Sequence, residues 1–211
     1  MSWRQLIQNM PSLNRHCWVI GDVHGCLQSL TQLLDALPKT DHLVFCGDVI
    51  NKGPDTAPTM DLVWSLVSSG KATWLLGNHE MALLHSLIIS QNHNQSPWLK
   101  RLNQLPYVFT GDGWVATHAG FNRNGLPDLT IRECFWENYD GSLGDVVIGH
   151  TPRAEVERYG RIVMVDTGAV YGGKLSAYCP ETRAVVQVEG FKAIHRGAQA
   201  KAVATLPVVS C

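Results

Sequence analysis

Through the first half of the chain, short apolar runs rich in β-branched or aromatic residues alternate with helical patterns. The runs are Cys17–Ile20, Leu43–Cys46 and Thr73–Leu76, and the patterns between and after them predict helices over Leu27–Leu37, Thr56–Ser69 and Glu80–Ile89. A β-α-β-α-β-α order of this kind predicts parallel strands covered by helices. The second half reads differently. Tyr107–Phe109 and Trp114–Thr117 flank a Gly-Asp-Gly turn, and Val146–Ile148, Ile162–Val165 and a hairpin-like pair, Leu175–Tyr178 with Ala184–Val188, follow. These runs predict a second, more antiparallel sheet, and the fold class is α/β.

Length and composition narrow the picture without deciding it. A chain of 211 residues suits one domain, taken here as residues 1–190, and the small-residue-rich stretch 191–211 reads as a loosely held C-terminal tail. With 45% hydrophobic residues, 17% charged residues and a formal net charge of -1, the chain offers no basic field for nucleic acid or for an anionic membrane. No segment approaches the ~20 apolar residues that span a bilayer, so the expected location is the cytoplasm. The six cysteines are spread singly, without CxxC spacing, and read as reduced thiols. Oligomeric state has no signature in the sequence.

The chemistry lies where the strands end. Each early run closes on a glycine followed by a residue able to bind metal: GDVHG (Gly21 to Gly25), GDVINKG (Gly47 to Gly53) and GNHE (Gly77 to Glu80). Carboxyl ends of neighbouring strands in an α/β sheet converge on one crevice, so Asp22, His24, Asp48, Asn78 and His79 are expected to meet there. ATHAG with His118 and VIGHTP with His150 repeat the syntax and add two imidazoles. Mixed N/O ligation without thiolate suits Mn, Fe or Zn rather than Ca or Mg, and six side chains exceed the needs of one metal with an open position. Two divalent transition-metal ions use them well, and a pair roughly 3.5–4 Å apart is the arrangement that hydrolyses phosphate esters through a metal-activated water. His16, His42, His85, His93 and His195 lie outside the motifs and read as surface or helix-face residues, and Trp64, Trp98, Trp114 and Trp136 read as core.

The five motifs in this order resemble those of the calcineurin-like metallophosphoesterases. Within that superfamily, GDVHGC and GNHE in so short a chain are similar to the compact bacterial and lambda-phage Ser/Thr protein phosphatases, and diadenosine tetraphosphatases share the signature. The resemblance runs from about Trp18 to Val188 and includes DTGAVYGGKL (Asp166 to Leu175). It implies two facing mixed β-sheets flanked by helices. It also implies one metal held by Asp22, His24 and Asp48, a second held by Asp48, Asn78, His118 and His150, and His79 as the general acid. Mn is the first choice of metal.

The chain departs from the family at informative places. Asn51-Lys52 stands where protein phosphatases usually carry Asp-Arg, in which the Asp orients the acid histidine and the Arg grips phosphate. Leu76 before GNHE and WENYDG (Trp136 to Gly141) stand where arginines are common. Asn51 is accordingly expected to orient His79, and Lys52, Arg153 and Tyr171 are the candidate substrate contacts. The implied activity is phosphate monoester hydrolysis on a phosphorylated protein, at phospho-Ser/Thr with phospho-Tyr as an addition. The alternatives are a symmetrical dinucleoside tetraphosphatase or other small-nucleotide hydrolase, and a catalytically weak metal-binding interaction module.

Overall fold

The computed structural model describes residues 16–90 and 96–191; most of the expected tail, with His93 and His195, lies outside them. The first half follows the predicted order: β1 (Cys17–Ile20), α1 (Leu27–Ala36), β2 (His42–Phe45), α2 (Thr56–Ser68), β3 (Ala72–Trp74) and α3 (Asn78–Ile89). The three strands are parallel, with Val19 opposite Val44 and Val44 opposite Thr73. After the short helix α4 (Pro97–Leu102) come β4 (Val108–Gly111), β5 (Trp114–Thr117), a small pair β6 (Gly120–Phe121) and β7 (Pro127–Asp128), α5 (Glu133–Trp136), β8 (Asp145–Ile148), β9 (Glu157–Tyr159) and β10 (Ile162–Met164). A 3-10 turn at Ala169–Tyr171 leads into β11 (Lys174–Cys179) and β12 (Ala184–Glu189).

The hairpin β11–β12 belongs to the first sheet, whose order is β12-β11-β1-β2-β3, and not to the second sheet where the sequence order suggested it. β1 is buried along its whole length and β2 covers only one of its edges. Its other edge needs partners for buried N–H and C=O groups, and β11 supplies them antiparallel, with Val19 opposite Tyr178. The second sheet, β4-β5-β8-β10-β9, is parallel through β5, β8 and β10, with antiparallel strands only at its edges. It is therefore mixed rather than mainly antiparallel.

Alternation along the strands builds three apolar layers. Cys17, Val19, Val44 and Cys46 face Trp114, Ala116, Val147 and Val163 between the sheets. The opposite faces carry Trp18, Ile20, Phe45 and Trp74 against Leu30, Leu33, Met60 and Val63 of α1 and α2, while Val115, Val146, Ile148 and Met164 pack on Phe121, Phe135 and Trp136. The result is two facing mixed five-stranded sheets flanked by helices. Cys17, Cys26, Cys46 and Cys179 are free and buried, whereas Cys134 is disulfide-bonded, a departure from six reduced thiols that its isolated position in sequence could not signal. No helix among the described residues is long and apolar enough to cross a membrane.

Candidate metal centre

The loops after β1, β2 and β3 meet the loops after β5 and β8 where the two sheets end. The turns are tight. Gly47 has φ 90°, and a Cβ there would stand 2.8 Å from Gly77 Cα and from His118 Nδ1, so only glycine lets the three loops close on one another. His24, Asp48, Asn51, Lys52 and His150 themselves adopt left-handed backbone, with φ between 46° and 67°. Such conformations cost free energy and persist only where the surrounding structure imposes them. The imposing contacts are visible: the N–H groups of Val23 and His24 both donate to Asp48 O, at 3.2 and 2.9 Å.

The same loops orient the imidazoles. His24 Nδ1 donates to Ile50 O and His118 Nδ1 donates to Cys46 O, each at 2.8 Å, which leaves both Nε2 lone pairs facing the centre. His24 Nε2 lies 3.7 Å from Asp48 Oδ2 and 3.9 Å from Asp22 Oδ2. On the other side, Asn78 Oδ1 stands 2.9 Å from His118 Nε2 and 3.0 Å from His150 Nδ1, and Asp48 Oδ1 is 3.6 Å from His118 Nε2. Two donor groups result, His24-Asp48-His79 and Asp48-His118-His150, each with ligand atoms within 4.8 Å of one another and with Asp48 in common.

The electrostatics say what would sit between them. Burial drives His24 down to about 4 and His150 to about 3, and it lowers His118 as well, so these rings are neutral lone-pair donors near pH 7. Burial, then the charges of Asp166 and Asp48, push Asp22 well above the usual carboxylate range. Burial also lifts Asp166 to about 6. Neutral imidazoles beside crowded carboxylates form a site that gains from a divalent cation, and the N/O donor set fits a first-row transition ion.

A family model for the calcineurin-like phosphoesterases matches residues 16–194. The chain belongs to that family. Serine/threonine-protein phosphatase 1 of Salmonella typhimurium is 27% identical over 210 residues, covering 82% of this chain and 95% of that protein. An asymmetrical bis(5'-nucleosyl)-tetraphosphatase of Halalkalibacterium halodurans is 28% identical over 216 residues, covering 75% and 87%. Among solved structures, a provisionally assigned diadenosine tetraphosphatase superposes with a TM-score of 0.71 at 24% identity, over 87% of this chain and 97% of that one, a likeness of fold.

Within this phosphoesterase, His79 begins α3, and its backbone N–H donates to Asp48 Oδ1 at 2.9 Å. Asn51 Nδ2 donates to His79 Nδ1 at 3.2 Å, and burial lowers the His79 pKa against the opposing pull of Asp48. Lys52 Nζ donates to His24 Nε2 at 2.8 Å and lies 5.3 Å over the ring of Tyr171. That ring is 64% exposed, on a turn bracketed by left-handed Gly168 and Gly172. Arg153 does not join the cluster. Its guanidinium lies 5.4 Å over the Trp136 ring, with Nε 3.3 Å from Met164 Sδ and 3.6 Å from Glu157. Proximity to His150 in sequence was its only recommendation, and the ring of Trp136 captured the side chain instead.

Three residues escaped the sequence reading. Glu80 is completely buried and accepts the backbone N–H groups of Asp48 and Val49 at 2.8 Å and of Gly77 at 3.0 Å, so it ties the second motif loop to the third. Its signal was its place three residues after a helix-opening glycine, where a carboxylate reaches back to free N–H groups. Asp166 lies buried beside Asp22, inside a motif already singled out. Arg132 donates to Thr151 Oγ1 at 3.0 Å, next to His150, from a segment with no motif of its own.

Proposed function

We propose that this chain is a binuclear metal-dependent phosphoric ester hydrolase. The observation that supports the reading is the pair of donor groups, His24-Asp48-His79 and Asp48-His118-His150, that share Asp48, with Asp22 beside His24 and Asn78 beside His118. Asp22, His24 and Asp48 would hold one ion, and Asp48, Asn78, His118 and His150 the other, with Mn the first candidate and Fe or Zn the alternatives. When bound, such ions supply Lewis-acid charge and an acidified water nucleophile.

The chain's own residues do the rest. Ile50 O and Cys46 O fix the His24 and His118 tautomers, which keeps both lone pairs on target. Lys52 neutralises phosphate charge on the His24 side. His79 gives its proton to the leaving oxygen, a task suited to an imidazole because its unperturbed pKa lies near neutrality. Asn51, at 3.2 Å, orients that ring without adding charge.

The substrate we favour is phosphoserine or phosphothreonine in a protein. Asn51, Lys52 and Tyr171 are all exposed at the rim, which leaves room for a polypeptide to approach. The relative from Salmonella is named for this activity. One observation favours a dinucleoside tetraphosphate instead: the exposed Tyr171 ring beside Lys52 offers a stacking surface for a base. The curated relatives that support the nucleotide reading are asymmetrical hydrolases, unlike the symmetrical enzyme the sequence suggested. Mn-reconstituted protein offered a phosphopeptide and diadenosine tetraphosphate at equal concentration decides between them. A higher kcat/KM for the tetraphosphate would reject the phosphoprotein assignment, and turnover of neither would reject the hydrolase.

A further inference from the structure

The tautomer of His24 leaves that ring a single bond to make. Its Nδ1 donates to Ile50 O at 2.8 Å, so Nε2 carries the one lone pair with which the ring can accept. Lys52 Nζ donates to that lone pair at 2.8 Å. Any cation held by Asp22, His24 and Asp48 needs the same lone pair, and an imidazole nitrogen serves one partner at a time. The other donor group is different. His118 Nε2 and His150 Nδ1 both face Asn78 Oδ1, at 2.9 and 3.0 Å, and no lysine or arginine side chain among the described residues donates to either nitrogen. The ammonium of Lys52 also acts beyond His24: burial raises Asp22 and Asp166, and the charge of Lys52 opposes the rise in both.

The fold holds Lys52 in this position. Its backbone is left-handed, with φ 63°, and the N–H of the next residue, Gly53, donates to His24 O at 2.9 Å. The side chain has a second place to go. The exposed ring of Tyr171 has its centroid 5.3 Å from Nζ, near the outer limit of ~6 Å at which a cation is drawn to a ring face, so the ammonium gains by moving onto it. We propose that Lys52 is a built-in competitor for the His24 lone pair, and that its ammonium must leave for the face of Tyr171 before a divalent ion can be held at the His24 group. The two donor groups are therefore unequal. The His118-His150 group fills first and tightly, and the His24 group fills second and exchangeably. The proposal rests on the binuclear reading above and is independent of whether the displaced ammonium then meets a phosphate.

The test is a Mn titration of chelator-stripped protein without substrate, followed by calorimetry and by the electron paramagnetic resonance of unbound Mn. Wild type is expected to take two equivalents in two steps of unequal affinity. Lys52→Met, which keeps the length and removes the charge, should tighten the weaker step roughly ten- to thirtyfold and leave the tighter step in place. That figure is the lower part of the range for a charge-assisted bond, because Lys52 is exposed. Lys52→Arg, which keeps the charge, should stay close to wild type. Tyr171→Leu should weaken the weaker step about two- to threefold, and it should have no effect in the Lys52→Met background, since the ring acts only through the ammonium. A weaker step unmoved by Lys52→Met, or moved equally by Lys52→Arg, would overturn the proposal and leave the binuclear reading intact. If Lys52→Met does not fold, Tyr171→Leu decides, because unchanged Mn affinity there overturns the proposal. One equivalent in every protein refutes the binuclear reading, and the proposal then stands or falls by whether Lys52→Met tightens that ion.

Discussion

Replacing Asn51 by aspartate should move the alkaline limb of the rate profile to higher pH. Asn51 Nδ2 donates to His79 Nδ1 at 3.2 Å, an arrangement that satisfies the neutral ring. Protonation puts a hydrogen on Nδ1, and the amide must then turn its oxygen inward. A carboxylate needs no such turn and adds a full charge at the same distance. At 3.2 Å the Coulomb attraction is about 1.3 kcal/mol in a water-like dielectric and about twice that at half the dielectric constant, which is a rise of about one to two pKa units. The lower figure is the better guide, because the His79 side chain is 24% exposed and Asn51 sits at the surface. The sign follows from the role: burial depresses His79, so its protonated form is lost early as pH climbs, and an added anion extends that form upward. The assay is kcat/KM against pH with phenyl phosphate, whose poor leaving group needs the proton. p-Nitrophenyl phosphate, which needs it less, should show a smaller displacement. Metal content is measured in parallel because the introduced carboxylate adds a donor near His24. A limb that stays in place at unchanged metal content would mean that Asn51 does not govern the acid, or that His79 is not the acid.

Four further outcomes follow from the same geometry. Glu80→Gln puts an amide NH2 against backbone N–H groups that now find a carboxylate oxygen, and equilibrium denaturation should show a loss of about 2–4 kcal/mol at unchanged m-value. Metal analysis after Mn reconstitution should give about two equivalents per chain, falling toward one in Asn78→Ala and His118→Ala; wild-type loading in both variants would remove the second site. Stripping with a chelator should lower Tm, and free Mn at a hundred times its Kd should restore about 2.7 kcal/mol for each site it fills, since the ions bind only the folded chain. Lys52→Ala should lower kcat/KM roughly ten- to a hundredfold without changing metal content, and near-normal turnover would exclude a phosphate contact.

The elements that the sequence revealed are those with a local signal. Cys17–Ile20 and Trp114–Thr117 form strands at the boundaries expected of them, and the first three helices lie within two residues of theirs. Apolar runs with a glycine at one end, Gly21 after the first and Gly113 before the second, define such segments without help from the rest of the chain. Sheet membership has no local signal. The alternation in β11 states which residues are buried but not which distant strand will cover them, so the hairpin's place against β1 was invisible. β9 is an exposed edge strand of Glu, Arg and Tyr and has no apolar pattern to read. In the site, residues fixed by strand-end turns were legible, because a turn fixes direction as well as position. Long side chains were not: Arg132 and Arg153 flank His150 on different segments, and which one reaches toward it depends on Thr151 and Trp136, contacts that only the fold creates.

The centre and the rest of the fold have opposite energetic characters, and Glu80 joins them. Asp22, Asp48, Glu80 and Asp166 are buried within one crevice, and His24, Asp48, Asn51, Lys52 and His150 hold left-handed backbone around it. The burial of Asp22, Asp48 and Asp166 and the left-handed backbone each destabilise the folded chain when no cation is bound. What holds them is the apolar layer between the sheets, where Val19, Val44, Ala116 and Val147 anchor the strands that lead into the loops. Glu80 takes the N–H groups of two neighbouring loops on one carboxylate, so the loop bearing Asp48 cannot shift without loosening the loop bearing Asn78. That coupling keeps Asp48 between the two donor groups, and a shared ligand is useful only if both groups are held in register with it. Weakening the brace should therefore cost metal affinity at both groups together, whereas loss of a peripheral donor such as Asp22 should be felt mainly at its own.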